Sequence, residues 1–199
     1  MKLLNRNFLC LLFLALLTGC ASTKMKAVPE SQVPYQLAPG ETQVIFMRPS
    51  FLGGAVQSTV FEVQTEKKDA FVGIVSAGTK VRFVTQPGEH LFMVIGESAD
   101  FMRAYLEADK TYYALVTPRM GFWKARFSLK PVHRGELDGD TFRGWDESTD
   151  FVENTEQSQL WARENWATIQ SRKTEYLQKW AAKSPAAKNE VTLRVGDGI

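Results

Sequence analysis

Residues 122–130 read FWKARFSLK, and their alternation decides the fold class. Trp123, Ala125, Phe127 and Leu129 share one parity, while Lys124, Arg126, Ser128 and Lys130 share the other. That is the period of a strand with one dry face and one wet face. The run extends from Phe122 to Val132, and similar short apolar runs precede it at Gln43 to Arg48, Ser58 to Thr65, Phe71 to Ser76, Lys80 to Thr85, His90 to Gly96, Phe101 to Glu107 and Thr111 to Thr117. Turn-forming residues separate them, among them Glu66-Lys67-Lys68-Asp69, Ala77-Gly78, Gln86-Pro87-Gly88-Glu89 and Ala108-Asp109-Lys110. The pattern predicts a mainly β domain, an antiparallel sandwich of about seven to eight strands.

Three runs break the simple alternation. Val44-Ile45-Phe46-Met47, Leu91-Phe92-Met93-Val94-Ile95 and Tyr112-Tyr113-Ala114-Leu115-Val116 are apolar on both parities, so each needs a cover over its second face. The cover expected is an amphipathic C-terminal helix over Thr155 to Lys183, packed on one sheet. Its stripe is Ala162, Trp166, Ile169, Lys173, Tyr176, Leu177 and Trp180, with Thr155 as N-cap and Pro185 as the stop. Val191 to Val195 alternates once more and predicts a short returning strand.

The start of the chain carries an address. Lys2 and Arg6 precede the apolar run Phe8 to Leu17, which is too short to span a bilayer and suits the core of a signal peptide. The run closes on Leu17-Thr18-Gly19-Cys20, similar to the lipobox of bacterial lipoproteins, which implies cleavage before Cys20 and acylation of its thiol. The chain's other cysteine, Cys10, lies inside the segment removed, so Cys20 has no disulfide partner in the mature monomer. Two or three acyl chains make such an anchor effectively permanent. Ala21, rather than Asp, follows the cysteine and favours the outer membrane. Lys and Arg number 24 against 22 Asp and Glu; without Lys2 and Arg6 the two balance at 22 each. That balance speaks against nucleic acid as a partner.

The expected organisation is a lipoprotein signal peptide over 1–19, a lipidated N-terminus and flexible tether over 20–41, a β-sandwich over 42–133, and an acidic connection, long helix and short strand over 134–199. A tether of about 20 residues would let the domain stand up to about 65 Å from the membrane.

Arg48-Pro49-Ser50, Gly53-Gly54-Ala55, Pro87-Gly88-Glu89-His90, Lys110-Thr111-Tyr112-Tyr113 and Arg119-Met120-Gly121 are similar in order and spacing to an uncharacterised family of Gram-negative lipoproteins. The resemblance covers Thr42 to Val132 and implies a β-sandwich-like lipoprotein. It implies no activity and no functional residue beyond the lipidated cysteine.

Motif-borne chemistry is absent from the sequence: there is no G-x-S-x-G, H-E-x-x-H, P-loop or G-x-G-x-x-G. His90 and His133 are the only histidines, too few with one mature cysteine for the usual zinc shell, and both suit strand-end structural roles. Glu136, Asp138, Asp140, Asp146, Glu147 and Asp150 crowd one connection, whose Asp138-Gly139-Asp140 is the nearest approach to a calcium loop but lacks its full spacing. No catalytic residue, metal ligand or cofactor is therefore assigned. Two loops set arginine and apolar residues beside glycines, giving Arg48, Phe51, Arg119 and Met120 as candidate contact residues. The same residues could instead cap the ends of the sandwich.

The sequence thus favours a membrane-anchored lipoprotein facing the periplasm, with a non-catalytic domain that binds or scaffolds an envelope protein or glycan. The alternatives are an envelope enzyme using Asp or Glu of the 136–150 segment on peptidoglycan or glycan, and a carrier of small apolar ligands.

Overall fold

A computed structural model describes residues 24–52, 56–119 and 126–199. The expected signal peptide, Cys20, Gly53 to Ala55, Met120 and Trp123 lie outside them. The chain is mainly β. The first sheet runs β1 (Met25–Ala27), β10 (Asp150–Asn154), β5 (Thr79–Thr85), β2 (Thr42–Arg48), β8 (Thr111–Arg119), β9 (Arg126–Pro131). The second runs β11 (Thr192–Leu193), β7 (Ala99–Leu106), β6 (Gly88–Ile95), β3 (Ser58–Val63), β4 (Ala70–Val75).

Each of the eight apolar runs contains a strand, but the sheets are mixed rather than antiparallel, and eleven strands are present among the described residues. β2 lies parallel to β8; between them the chain passes through β3 and β4 of the second sheet, β5 of the first, and β6 and β7 of the second. β10 is parallel to β5 and β11 to β7, each arriving after a helical connection. The short strands β1, β10 and β11 account for the excess over the expected number.

Val44, Phe46, Tyr112, Ala114, Val116, Phe127 and Leu129 of the first sheet meet Val60, Val72, Ile74, Phe92, Val94 and Met102 of the second in one buried cluster. Phe46 and Phe92 pack edge to face at 5.0 Å between centroids. Side chains of both sheets fill the space between them.

The outer faces are covered by different segments. Helices α2 (Glu156–Glu164) and α3 (Trp166–Ala181) supply the expected amphipathic cover, divided at Asn165, whose side-chain amide donates to the Trp161 carbonyl at 2.9 Å. Ile169 and Trp180 bury against Phe61, Met93, Ile95, Ala99 and Phe101 of the second sheet, flanked by Trp166, Tyr176 and Leu177. Thr155 is the N-cap, accepting from the Ser158 amide. The long helix ends at Ala181, short of Pro185, and Pro185 also opens α4 (Pro185–Glu190) behind the Ser184 cap, since its missing N–H costs nothing in a first turn.

The first sheet's outer face, Ile45, Met47, Tyr113 and Leu115, is sealed by Leu137, Phe142, Trp145 and Phe151 from the acidic connection. Here α1 (Asp140–Glu147) turns Phe142 and Trp145, three residues apart, toward the sheet and its charges toward water. One helix could not cover both outer faces, and the segment expected as a polar connection is the second cover.

The expected tether is mostly bound. β1 pairs with β10 through Met25↔Asn154, Met25 is buried, and Arg82 donates to the Val33 carbonyl at 2.5 Å with its guanidinium over Tyr35. At the other terminus, Asp197 accepts from His133 Nδ1 at 2.9 Å and from the amides of Arg134 and Arg194, while Ile199 exchanges both backbone hydrogen bonds with Thr111. No described helix is long and apolar enough to cross a membrane.

Candidate functional site

The last turns of α3 place Tyr176, Lys179 and Trp180, with Lys183 just beyond the helix end, at positions three and four apart, so they form one face. Opposite them lie the start of β7, with Ser98, Ala99, Asp100 and Phe101, and the facing ends of β8 and β9, with Arg119 and Arg126. Together these residues line a cleft of about 290 Å³. Phe101 and Trp180 form its floor, centroids 6.0 Å apart.

Its electrostatics are one-sided. Arg119, Arg126, Lys179 and Lys183 face one lining carboxylate, Asp100, which lies 3.5 Å from both Arg119 and Lys183. Lys179 pairs with Glu175 at 2.8 Å and sits 4.1 Å from the Tyr176 ring centroid. The hydrogen bond to Glu175 chiefly raises the Lys179 pKa, opposed by desolvation and, less, by Arg126. Arg119 and Arg126 are direct cross-strand partners, an arrangement of like charges that destabilises a hairpin unless an anion lies between or beside them. Among the described residues Arg126 has no ion pair.

Of the candidate contact residues, Arg119 belongs to this cleft and is half-exposed. Arg48 is fully buried, donates to the carbonyls of Val56 at 2.8 Å and Leu52 at 3.2 Å, and lies 4.5 Å above the Phe127 ring. Burial lowers its pKa. It caps the β2–β3 loop because a guanidinium is the side chain that can donate to several carbonyls at once. Phe51, in the same loop, is 72% exposed, beside Leu52 at 54%. Met120 lies outside the described residues. Sequence reasoning missed Arg126, read only as part of a wet face, and Lys179 and Lys183; nothing in their spacing announces that α3 ends against this hairpin.

Several other titratable groups are engaged structurally. Asp146 accepts from Lys80 at 2.5 Å, Glu136 from the His133 amide at 2.8 Å, and Asp140 from Arg143. Among the described residues no group of three or more His, Cys, Asp or Glu side chains is placed to hold a metal ion. Glu62 Oε1 lies 2.5 Å from His90 Nδ1 and its Oε2 accepts from Gln64 at 2.8 Å; His90 Nε2 is 2.9 Å from the Gln86 carbonyl.

Burial pushes the Glu62 pKa up, but the His90 and Gln64 hydrogen bonds and the His90 charge together outweigh it, leaving the group below its ordinary value of 4.5. A depressed folded-state value stabilises the fold above pH 4.5, and the contribution is lost as pH falls through the folded value. Glu62→Gln should therefore flatten the acid limb of stability, read as urea midpoints between about pH 6 and about pH 3. Equal acid limbs in the two proteins would exclude Glu62 as their source.

No protein-family model matches the chain, and neither does any curated protein.

Proposed function

We propose that the chain is a cell-envelope lipoprotein, acylated at Cys20 and held in the outer membrane facing the periplasm, whose two-sheet sandwich binds another envelope component without catalysing a reaction. The cleft is its contact site and takes an acidic group of that component. The observation carrying this reading is the cross-strand Arg119–Arg126 pair beside Lys179 and Lys183, with one carboxylate among them. A protein or acidic glycan could place its carboxylate near Arg126 and a flat apolar face toward Tyr176 and Trp180. The resemblance to Gram-negative lipoproteins and Ala21 after Cys20 support the location.

Photocrosslinking in the cell from position 179 tests the reading. Arg126→Glu should abolish the adduct at an unchanged thermal midpoint, since Arg126 is exposed. Arg126→Lys should retain most of it, and an adduct indifferent to charge reversal would overturn the site.

A further inference from the structure

The distance between the acylated cysteine and the first strand fixes where the domain sits. Lys24 is already held: its carbonyl accepts from Thr155 Oγ1 at 2.6 Å, its ammonium lies 5.5 Å from the Trp161 ring centroid, and the next residue, Met25, is buried. Only Ala21, Ser22 and Thr23 separate it from Cys20. Four Cα–Cα steps of 3.80 Å span at most ~15 Å even fully extended. The headgroup layer of one leaflet takes about 5–7 Å of that. What remains, about 8–10 Å, is no more than the diameter of one α-helix, about 10–12 Å.

Resting on the lipid anchor proposed above, we propose that the domain lies flush on the bilayer, docked on the pole formed by β1 and the first two turns of α2. The occupant of that pole is the phospholipid surface that holds the Cys20 acyl chains. Its position follows from the hydrogen bond that ties Lys24 to the α2 N-cap, which makes this helix start the part of the domain nearest the anchor. Leu160, 47% exposed, and the neighbouring Gln157 and Arg163 present themselves there.

The charge on the pole is mixed. Lys26 pairs with Glu153 at 3.2 Å, and Glu156 and Arg163 share one shallow depression. Docking therefore derives from the short leash and not from attraction to anionic lipid, and it persists on a zwitterionic surface. The cationic cleft lies at the opposite end of α3 from α2: Trp180 is about 21 Å along the helix axis from Trp166. The leash thus holds α2 at the membrane and leaves the cleft at the remote end of α3.

Acylation consumes the Cys20 thiol and processing removes Cys10, so an introduced cysteine is the single free thiol of the mature lipoprotein. Leu160→Cys and Asn189→Cys, both at exposed positions, carry a fluorophore at the proposed pole and beyond the far end of α3. Each protein is reconstituted in phosphatidylcholine vesicles bearing a headgroup nitroxide. The label at 160 should be quenched severalfold more than the label at 189, and an insert of about 20 Gly/Ser residues after Thr23 should erase the difference.

Equal quenching at the two sites in the acylated protein of native tether length would overturn the docking. A difference that survives the insert would overturn the leash as its cause. Mass spectrometry of the same samples separates the premises: a Cys20 without acyl chains would overturn the anchor and the docking together.

Discussion

Lys173→Ala is expected to lower the unfolding free energy by about 3–5 kcal/mol, the usual cost of removing one partner from a buried ion pair. Lys173 donates to both oxygens of Asp69, at 2.7 and 2.9 Å, and Gln170 and the Gln64 amide complete that carboxylate's shell. The Asp69 side chain is 1% exposed and that of Lys173 15%, so truncation strands a negative charge beneath α3. For a domain of this size the loss corresponds to about 6–20 °C in thermal midpoint. The double variant Asp69→Asn with Lys173→Met, which removes both charges, should recover a large part of it. A single-variant loss below about 1 kcal/mol would mean that the pair behaves as an exposed one.

A loss of similar size, about 3–5 kcal/mol, is expected for Arg48→Ala. The substitution empties a site with no solvent access and takes the donors away from the Val56 and Leu52 carbonyls. Arg48→Lys should recover only part of it, because an ammonium cannot reproduce the planar fork or its stacking on Phe127. Chemical denaturation measures both variants. An Arg48→Ala protein with an unchanged midpoint and a lost partner adduct would return this residue to the contact surface and remove it from the loop's support.

Lys173 also shows how far the sequence could be read. Its place on the apolar stripe of the C-terminal helix is visible in the periodicity, while the reason for it is not, since Asp69 looks like an ordinary solvated turn residue in Glu66-Lys67-Lys68-Asp69. The eight strand runs were legible because alternation is local. Parallel pairing was not, because side-chain period carries no information about the direction of a neighbour. The second cover stayed hidden because Leu137, Phe142, Trp145 and Phe151 are spread thinly among acids and glycines, and a helix as short as Asp140–Glu147 has too few turns for periodicity to show. β1 resembled a tether because its pairing partner, β10, lies far along the chain. For the site, Arg119 was legible as an arginine near Gly121 between two strand runs; its companions at the end of α3 could be found only from the packing of that helix end.

The pairing of β1 with β10 has a consequence for the order of folding. Thr155 and Lys24, which share a hydrogen bond, are 131 residues apart, and the hydrogen-bonded side chains Gln43 and Thr111 are 68 apart. Such long loop closures make folding slow compared with chains built on local contacts. The N-terminal strand can dock only once the chain as far as Thr155 has been made. If the chain is exported and acylated at Cys20 as proposed above, that order of contacts would place acylation before the closing of the sheet edge.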